Sequence, residues 1–282
     1  MSRVRIFTDS TCDLHAELLQ RFQIEVVPLY VIFEEQTYKD GVTVNAMQLF
    51  DLVEQQDKLP KTAAPSPLDF EHAFGPVIAE GDDIVYIGLS SELSSTFQNA
   101  VIAAGSFPDD RITVIDSRTL STGIGILVLK AAQAALEGRS REEIQALIEP
   151  MTAKMEVSFI IDTLEYLHKG GRCSSVQAFI GSLLKIRPIV KVINGTMTLT
   201  HKVRGKREKA LQQLLDQALA MKEELDTDFM FITHAQALDE ALYVKEQFEL
   251  HTQVKNVYIT ETGCVISSHC GPQTLGIVFA KK

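Results

Sequence analysis

The segment Leu89–Thr96 has the residue types best suited to binding an anion. Four serines and one threonine occupy seven consecutive positions here, between a strand-like and a helix-like stretch. Hydroxyl groups and the free amides of a helix N-terminus donate hydrogen bonds, and the helix dipole favours negative charge at that end. The segment lacks the glycines and lysine of a nucleotide-binding P-loop and the G-x-S-x-G sequence of a serine hydrolase. The segment as a whole is therefore a candidate anion-binding loop.

Other polar positions could take part in binding. Thr62 lies in the proline-punctuated loop KTAAPSP, where Ser66 caps the next helix but Thr62 has no structural role of that kind. His269 precedes the last strand, and a single histidine is more often a hydrogen-bonded structural residue than a catalyst. The segment TDSTCDL follows the first strand, at the sheet edge where ligands bind in open α/β folds. We interpret Asp13 as a helix cap and leave the role of Ser10 open.

The charge balance argues against a nucleic-acid partner. The formal net charge is -10, from 37 acidic and 27 basic residues, and the one basic block, HKVRGKREK, is typical of a solvated helix start. Four cysteines without a C-x-x-C pair indicate neither a zinc site nor a disulfide framework. The N-terminus does not resemble a signal peptide, and no apolar run reaches the roughly 18 residues that span a bilayer. We therefore expect a cytoplasmic protein without a metal or cofactor.

Alternating strand-like and helix-like segments in the first half predict a parallel sheet covered by helices on both faces. The predicted strands are Val4–Thr8, Val26–Val31, Ile84–Gly88 and Ile112–Asp116, and the predicted helices are His15–Phe22, Ser94–Ala104 and Leu120–Leu136.

The pattern changes near residue 155, and 282 residues exceed the usual size of one compact core. Asn194-Gly195 predicts a hairpin, which does not belong in a doubly wound parallel sheet. We therefore predict an N-terminal three-layer α/β domain at 1–155 and a C-terminal α+β domain with a mixed sheet at 156–282. The predicted C-terminal strands are Val157–Ile161, Ile189–Ile193, Met197–Thr200, Phe229–Thr233, Val254–Thr260 and Thr274–Phe279, and the predicted helices are Ser174–Leu183, Lys206–Leu225 and Ala237–Leu250.

Six motifs occur in order along nearly the whole chain: TDSTCDL, KTAAPS, LSSELSSTFQNA, DTLEYLHKGGR, KVRGKREKA and SSHCGP. Together they resemble the DegV family of fatty-acid-binding proteins, which includes the FakB subunits of bacterial fatty acid kinase. The resemblance implies an acyl chain buried between layers, with its carboxyl group at the domain junction. It also implies a non-catalytic carrier that presents the fatty acid to a separate ATP-dependent kinase subunit, which forms the acyl phosphate.

The resemblance assigns roles to individual residues. It implies that the carboxylate is held by Thr62, by the hydroxyl of Ser94, by the backbone amide of Ser95 and by His269. Arg172 and Arg204 are implied to lie on the surface that docks the kinase subunit. The chain departs from the family pattern at Ser95 and Gln273, where glycine is usual, and at Ala63-Ala64, where Ser-Gln is usual. These departures affect local loop shape and with it ligand preference.

Two other functions remain open. A hydrolase or acyltransferase acting on a lipid ester could use Ser94 with His269, although no acidic residue is obviously paired with that histidine. A related binding module could take another small amphiphile. In each case we expect no transmembrane segment and at most a transient contact with a membrane surface.

Overall fold

The structure is a computed structural model, which describes residues 3–108, 110–173 and 186–282. The strands are β1 Val4–Asp9, β2 Ile24–Val27, β3 Tyr30–Phe33, β4 Gln36–Lys39, β5 Lys61–Ala63, β6 Asp83–Gly88, β7 Ile112–Asp116, β8 Met155–Ile160, β9 Ile186–Ile193, β10 Thr196–Arg204, β11 Leu225–Ala235, β12 Asn256–Glu261 and β13 Thr274–Lys281. The helices are α1 Ala16–Arg21, α2 Ala46–Gln56, α3 Pro67–Ala79, α4 Thr96–Ala104, α5 Thr122–Leu136, α6 Arg141–Thr152, α7 Glu165–Gly170, α8 Arg207–Leu219, α9 Leu238–His251 and α10 Cys264–Cys270. The predicted helix Ser174–Leu183 lies outside the described residues.

The first sheet is fully parallel, in the order β2-β1-β6-β7. Successive side chains of a strand point to opposite faces. Ile84 and Tyr86 of β6 accordingly join the apolar cluster of α3 and α4, whereas Val85 and Ile87 join that of α5 and α6. Helices therefore cover both faces, and the predicted three-layer arrangement is confirmed.

The prediction of one strand over Val26–Val31 is wrong. The chain leaves the first sheet at Val27, and β3 begins at Tyr30 in a separate antiparallel sheet of order β4-β3-β5. Pro28 has no amide proton for a sheet ladder, and the next amide, that of Leu29, donates to the Ser10 hydroxyl at 3.1 Å. The segment KTA, which the sequence placed in a loop, forms the third strand of this small sheet.

The second sheet is mixed, with the order β10-β9-β8-β13-β11-β12 and a parallel pair only at β11 and β12. The predicted hairpin is confirmed: Asn194 (φ 50°) and Gly195 (φ 83°) form the turn between β9 and β10. The helix predicted over Lys206–Leu225 is too long, because α8 ends at Leu219 and Leu225 begins β11. Leu225 is buried in the same apolar cluster as α8, so the hydrophobic pattern alone does not show where the helix ends.

Helix α5 lies between the two sheets. Nearly all of its residues are buried, and it packs against β1 and β6 on one side and against β8, β11 and β13 on the other. A helix that is apolar all round belongs in the interior. The opposite face of the second sheet is covered by α8 and α9. The predicted fold class, an α/β part with a parallel sheet followed by an α+β part with a mixed sheet, is confirmed; the boundary at residue 155 stays a prediction.

Candidate functional site

A cavity of about 400 Å³ is bordered by the serine-rich segment Leu89–Thr96, by β5 and by α10. Its polar lining consists of Thr62, Ser94, Ser95, Asn99, Arg172 and His269. Its apolar lining includes Leu29, Leu89, Leu93, Leu120, Met197 and Ile266. The volume is typical of a small-molecule site, and the mixed lining suits a ligand with one polar and one apolar part.

Thr62 and His269 form a hydrogen-bonded pair at the wall of this cavity. The Oγ1 atom of Thr62 lies 2.9 Å from Nε2 of His269, although 207 positions separate the two residues in sequence. Thr62 is held in β5 by pairing with Val31 of β3, and His269 belongs to the short helix α10. The pair therefore depends on the packing of α10 against the small sheet.

His269 is kept neutral by its surroundings. Burial lowers its pKa to about 4, and the positive charge of Arg172 acts in the same direction. Its Nδ1 atom has no hydrogen-bond partner among the described residues. The Cβ of any side chain at Gly170 would lie 2.3 Å from Nδ1, so the close approach of this ring requires glycine there.

Acid should destabilise the protein through His269. The unfolded chain takes up this proton near pH 6.5 and the folded protein only near pH 4, so stability is full above the first value and is lost as pH falls through the second. The expected loss is on the order of 3 kcal/mol. Urea unfolding at pH 7 and pH 4.5 should show a smaller acid-induced drop for His269→Gln than for the wild type. Equal drops in the two proteins would contradict this origin.

The serine-rich segment leads into α4, whose first amide, that of Thr96, donates to the Ser94 hydroxyl at 3.3 Å. Ser94 precedes this helix, and its hydroxyl lies 2.8 Å from Oγ1 of Thr96. Ser95 is the N-cap residue but makes no capping hydrogen bond with its side chain. Asn99 follows one turn later on the same side of the helix and donates to the carbonyl of Pro65 at 2.7 Å. Asn99 was not among the residues predicted from the sequence. Its i,i+4 spacing from Ser95 could have indicated it.

Buried polar residues fix the serine-rich segment in place. The carboxylate of Asp9 accepts hydrogen bonds from the Leu89 amide and the Tyr86 hydroxyl, both at 2.8 Å. Ser90 donates to the carbonyl of Gly195 in the β9–β10 turn at 2.8 Å. Asp9 could not be singled out from the sequence, because an aspartate at a strand end usually faces solvent.

The interpretation of Asp13 as a helix cap is wrong. Asp13 does not cap α1, whose N-cap is His15; its Oδ1 atom instead accepts from the Gly263 amide at 2.8 Å, and its other oxygen accepts from Ser121. Ser10, which was left open, is not part of the cavity lining and accepts from the amide of Leu29. This segment therefore supports the site from outside.

The two arginines predicted to dock a kinase subunit occupy different places. Arg172 is exposed, lines the cavity and donates to the carbonyl of Gly170 at 2.7 Å. Arg204 is exposed at the end of β10 and is not part of the cavity lining. The structure thus brings together Thr62, Ser94, Ser95, Arg172 and His269, whereas the docking role of both arginines stays a prediction.

The departures from the family pattern also fall in different places. Ala63, Ala64 and Ser95 line the cavity, so they change its surface directly. Gln273 lies outside it with φ 56°, a left-handed conformation that explains why glycine is usual at this position.

A Ser-His catalytic pair is not formed. The Nε2 atom of His269 is bonded to Thr62, the Ser94 hydroxyl is bonded to Thr96, and in the described parts of the chain no acidic residue is hydrogen-bonded to His269. A histidine with a pKa of about 4 is also a weak base at neutral pH. This arrangement suits ligand binding better than hydrolysis.

A second, smaller cavity of about 20 Å³ lies deeper, between α5, α10 and the second sheet. It shares Leu120, Ile266 and Cys270 with the first cavity and is otherwise bordered by residues such as Phe159 and Val278. The two cavities therefore lie next to each other and share part of their wall.

Neither a metal-ligand cluster nor a membrane-spanning helix is found in the described ranges. There, no group of three or more His, Cys, Asp or Glu side chains is arranged to hold a metal ion. No helix in those ranges combines the length and apolar character needed to cross a bilayer.

Comparison with known proteins identifies the family. Residues 3–282 match the family described as "Uncharacterised protein, DegV family". The chain belongs to the DegV family. A DegV domain-containing protein of Clostridium acetobutylicum is 34% identical over 282 residues, which cover 100% of both chains.

Solved structures of DegV-family proteins share this fold over the full length. A fatty-acid-binding DegV family protein from Thermus thermophilus has a TM-score of 0.92 and 32% identity, covering 99% of this chain and 100% of its own. DegV from Bacillus subtilis, described as a fatty acid binding protein, has a TM-score of 0.87 and 30% identity, covering 100% of both chains.

Proposed function

We propose that this DegV-family protein binds one long-chain fatty acid, buries its tail, and presents its carboxylate to a separate ATP-dependent kinase subunit that forms the acyl phosphate. The observation that carries the proposal is the Thr62–His269 hydrogen bond at the wall of a cavity that also contains Ser94. The fatty-acid-binding relatives from Thermus thermophilus and Bacillus subtilis support it.

Neutral donors would hold the carboxylate. The guanidinium of Arg172 is bonded to Gly170, which packs against Nδ1 of His269. Its positive charge favours a lone pair on Nδ1 and the proton on Nε2, so Nε2 donates to Thr62. The Thr62 hydroxyl proton is then free to donate to the ligand, alongside Ser94 and the first amides of α4. A buried carboxylate needs such donors, because without them its desolvation is prohibitive.

Arg172 would act on the product side of the reaction. It is exposed at the cavity edge and does not pair with an acidic residue in the described structure. A guanidinium binds phosphate oxygens well. We therefore place Arg172 beside the phosphoryl group once the carboxylate has been phosphorylated, which leaves the uncharged donors to hold a still reactive carboxylate.

The tail would follow the apolar lining from the first cavity past Leu120 and Ile266 toward the second. Burying a methylene group contributes about 0.8 kcal/mol, so a sixteen-carbon acid gains on the order of 10 kcal/mol before association costs. Only enclosure between α5, α10 and the second sheet captures that gain. One acyl chain per protein is therefore the expected stoichiometry.

Native mass spectrometry of the purified protein, followed by organic extraction, tests the binding step. One fatty acid per chain, either retained or taken up from added palmitate or oleate, is expected. A different extracted amphiphile would redirect the proposal to another ligand class. A protein that is empty and takes up neither acid would contradict the proposal, and ester hydrolysis by that protein would favour the hydrolase.

Arg204 should matter more for presentation of the fatty acid to the kinase than for binding of the fatty acid. Arg204 is exposed and outside the cavity lining, so Arg204→Glu should leave the Kd for palmitate unchanged. With an ATP-dependent fatty acid kinase subunit, the same variant should form acyl phosphate at least about tenfold more slowly, because a reversed charge repels its partner surface.

The matched control is Lys209→Glu, an equal charge change at another exposed position of the basic block. Equal losses in the two variants would show a general charge effect and contradict a docking role for Arg204.

A further inference from the structure

We infer that Asp40 is a positioning residue for the Thr62–His269 pair, because it fastens helix α10 to the small sheet. The inference rests on the proposed function in one respect: the pair is what the fatty-acid carboxylate would contact. The placement of the pair itself is a property of the protein without ligand.

Asp40 is bonded to both structures at once. It directly follows β4, its side chain is buried, and its backbone amide donates to the Leu29 carbonyl at 2.9 Å. Its Oδ1 atom accepts from the Cys264 amide at 2.7 Å, and Oδ2 accepts from the Val265 amide at 3.3 Å. The nearby Ser10 hydroxyl lowers the pKa of this carboxyl group and so favours its charged form.

The small sheet connects Asp40 to Thr62. Tyr38 of β4, two residues before Asp40, is paired with Val31 of β3, and Val31 is paired with Thr62 of β5. Three adjacent strands thus fix the distance between the carboxylate and the Thr62 hydroxyl. A movement of α10 relative to Asp40 is consequently a movement of His269 relative to Thr62.

Helix α10 connects Asp40 to His269. It has seven residues, too few to be stable alone, so contacts at its ends determine where it lies. His269 is five residues from Cys264, which corresponds to about 7.5 Å along the helix axis. The Thr62–His269 distance of 2.9 Å allows a shift of only a few tenths of an ångström before the hydrogen bond weakens.

Asp13 does not duplicate this connection. It accepts from the amide of Gly263, just before α10, but its other oxygen is bonded to Ser121 at the start of α5. Asp13 therefore fixes the approach to α10 against the central helix. In the described structure, Asp40 is the side chain that bonds the first amides of α10 to the sheet carrying Thr62.

The Asp40→Asn variant tests the inference with two ligands that share one tail. Asparagine keeps the size of the side chain but replaces one acceptor by a donor facing an amide. If Asp40 positions the pair, the affinity for palmitate should fall at least about tenfold, while that for 1-hexadecanol, which has no carboxylate, should change less than about threefold. Ser10→Ala, which removes a hydroxyl that stabilises the charged form of the same carboxylate, should give a smaller change in the same direction.

A control variant separates positioning from lost stability. Ser140→Ala removes a comparable helix cap, that of α6, at a helix that does not border the cavity. It should lower thermal stability without changing the ratio of palmitate to hexadecanol affinity. Equal losses of both ligands in Asp40→Asn would assign Asp40 a merely structural role and overturn the inference.

The nitrogen NMR signal of His269 Nε2 in the ligand-free protein gives a second, ligand-independent readout. Asp40→Asn should shift it toward the signal seen in Thr62→Val, in which its hydrogen-bond partner is missing. A wild-type signal in Asp40→Asn overturns the inference, even if the protein binds no fatty acid. If the signal shifts in the variant but the wild type binds neither ligand, only the proposed function is contradicted.

Discussion

Replacing Thr62 with valine should weaken palmitate binding by roughly 100-fold, because the substitution removes a hydrogen bond to a charged group at nearly constant volume. The valine also leaves Nε2 of His269 without the partner it has at 2.9 Å. Isothermal titration calorimetry with palmitate measures the loss. We expect the loss mainly in the binding enthalpy, since the tail contacts are unchanged.

The matched control is Thr37→Val, the same change in the same small sheet at an exposed position on β4. It should leave the Kd within about twofold of the wild type. If Thr62→Val bound palmitate as tightly as Thr37→Val, Thr62 would not be a carboxylate ligand, and the proposed head-group site would be wrong.

Replacing Asp9 with alanine should have the largest effect on stability, a loss on the order of 4 kcal/mol in the free energy of unfolding. The carboxylate is fully buried, and it is the acceptor for the Tyr86 hydroxyl, the Leu89 amide and both the amide and the hydroxyl of Thr11. Its removal leaves several buried donors unsatisfied. Urea unfolding at pH 7 measures the loss.

Tyr86→Phe is the control for Asp9→Ala, because it removes one of these hydrogen bonds and keeps the aromatic packing against Phe70. It should cost about 1 kcal/mol. A loss for Asp9→Ala no larger than that of Tyr86→Phe would show that Asp9 does not organise the serine-rich segment. Palmitate binding by refolded Asp9→Ala should also weaken, because the Leu89 amide next to that segment is no longer fixed.

The site and its support differ in how they use charge. Apart from Arg172 at the cavity edge, the residues that line the cavity offer hydroxyl groups, amides and a neutral imidazole, whereas the buried carboxylates of Asp9, Asp13 and Asp40 lie behind them. Burial raises the pKa of all three carboxyl groups, and hydrogen bonds from backbone amides and hydroxyls oppose that rise. Acids placed behind the wall can orient the donors without repelling an anionic ligand across the cavity.

The architecture, the family and the candidate ligands could be predicted from the amino-acid sequence. Short β-branched runs and the Asn194-Gly195 turn are local signals, so most strands of the parallel sheet and the hairpin were predictable. The motif resemblance supplied Thr62, Ser94, Ser95, Arg172 and His269, and the structure brings these five to one cavity. Local patterns predicted element boundaries less well where an element is short, as in the split of Val26–Val31 at Pro28.

How those residues meet, and which contacts hold them, could not be predicted without the folded structure. The partner of His269 lies 207 positions away, and its seven-residue helix is buried on nearly every side, so it has no amphipathic pattern to reveal it. The burial of Asp9 and Asp40 could not be predicted, because a sequence does not show which carboxylates are enclosed. Their burial and partners arise when distant segments pack together, and long-range packing of this kind has no counterpart in the spacing of residues along the chain.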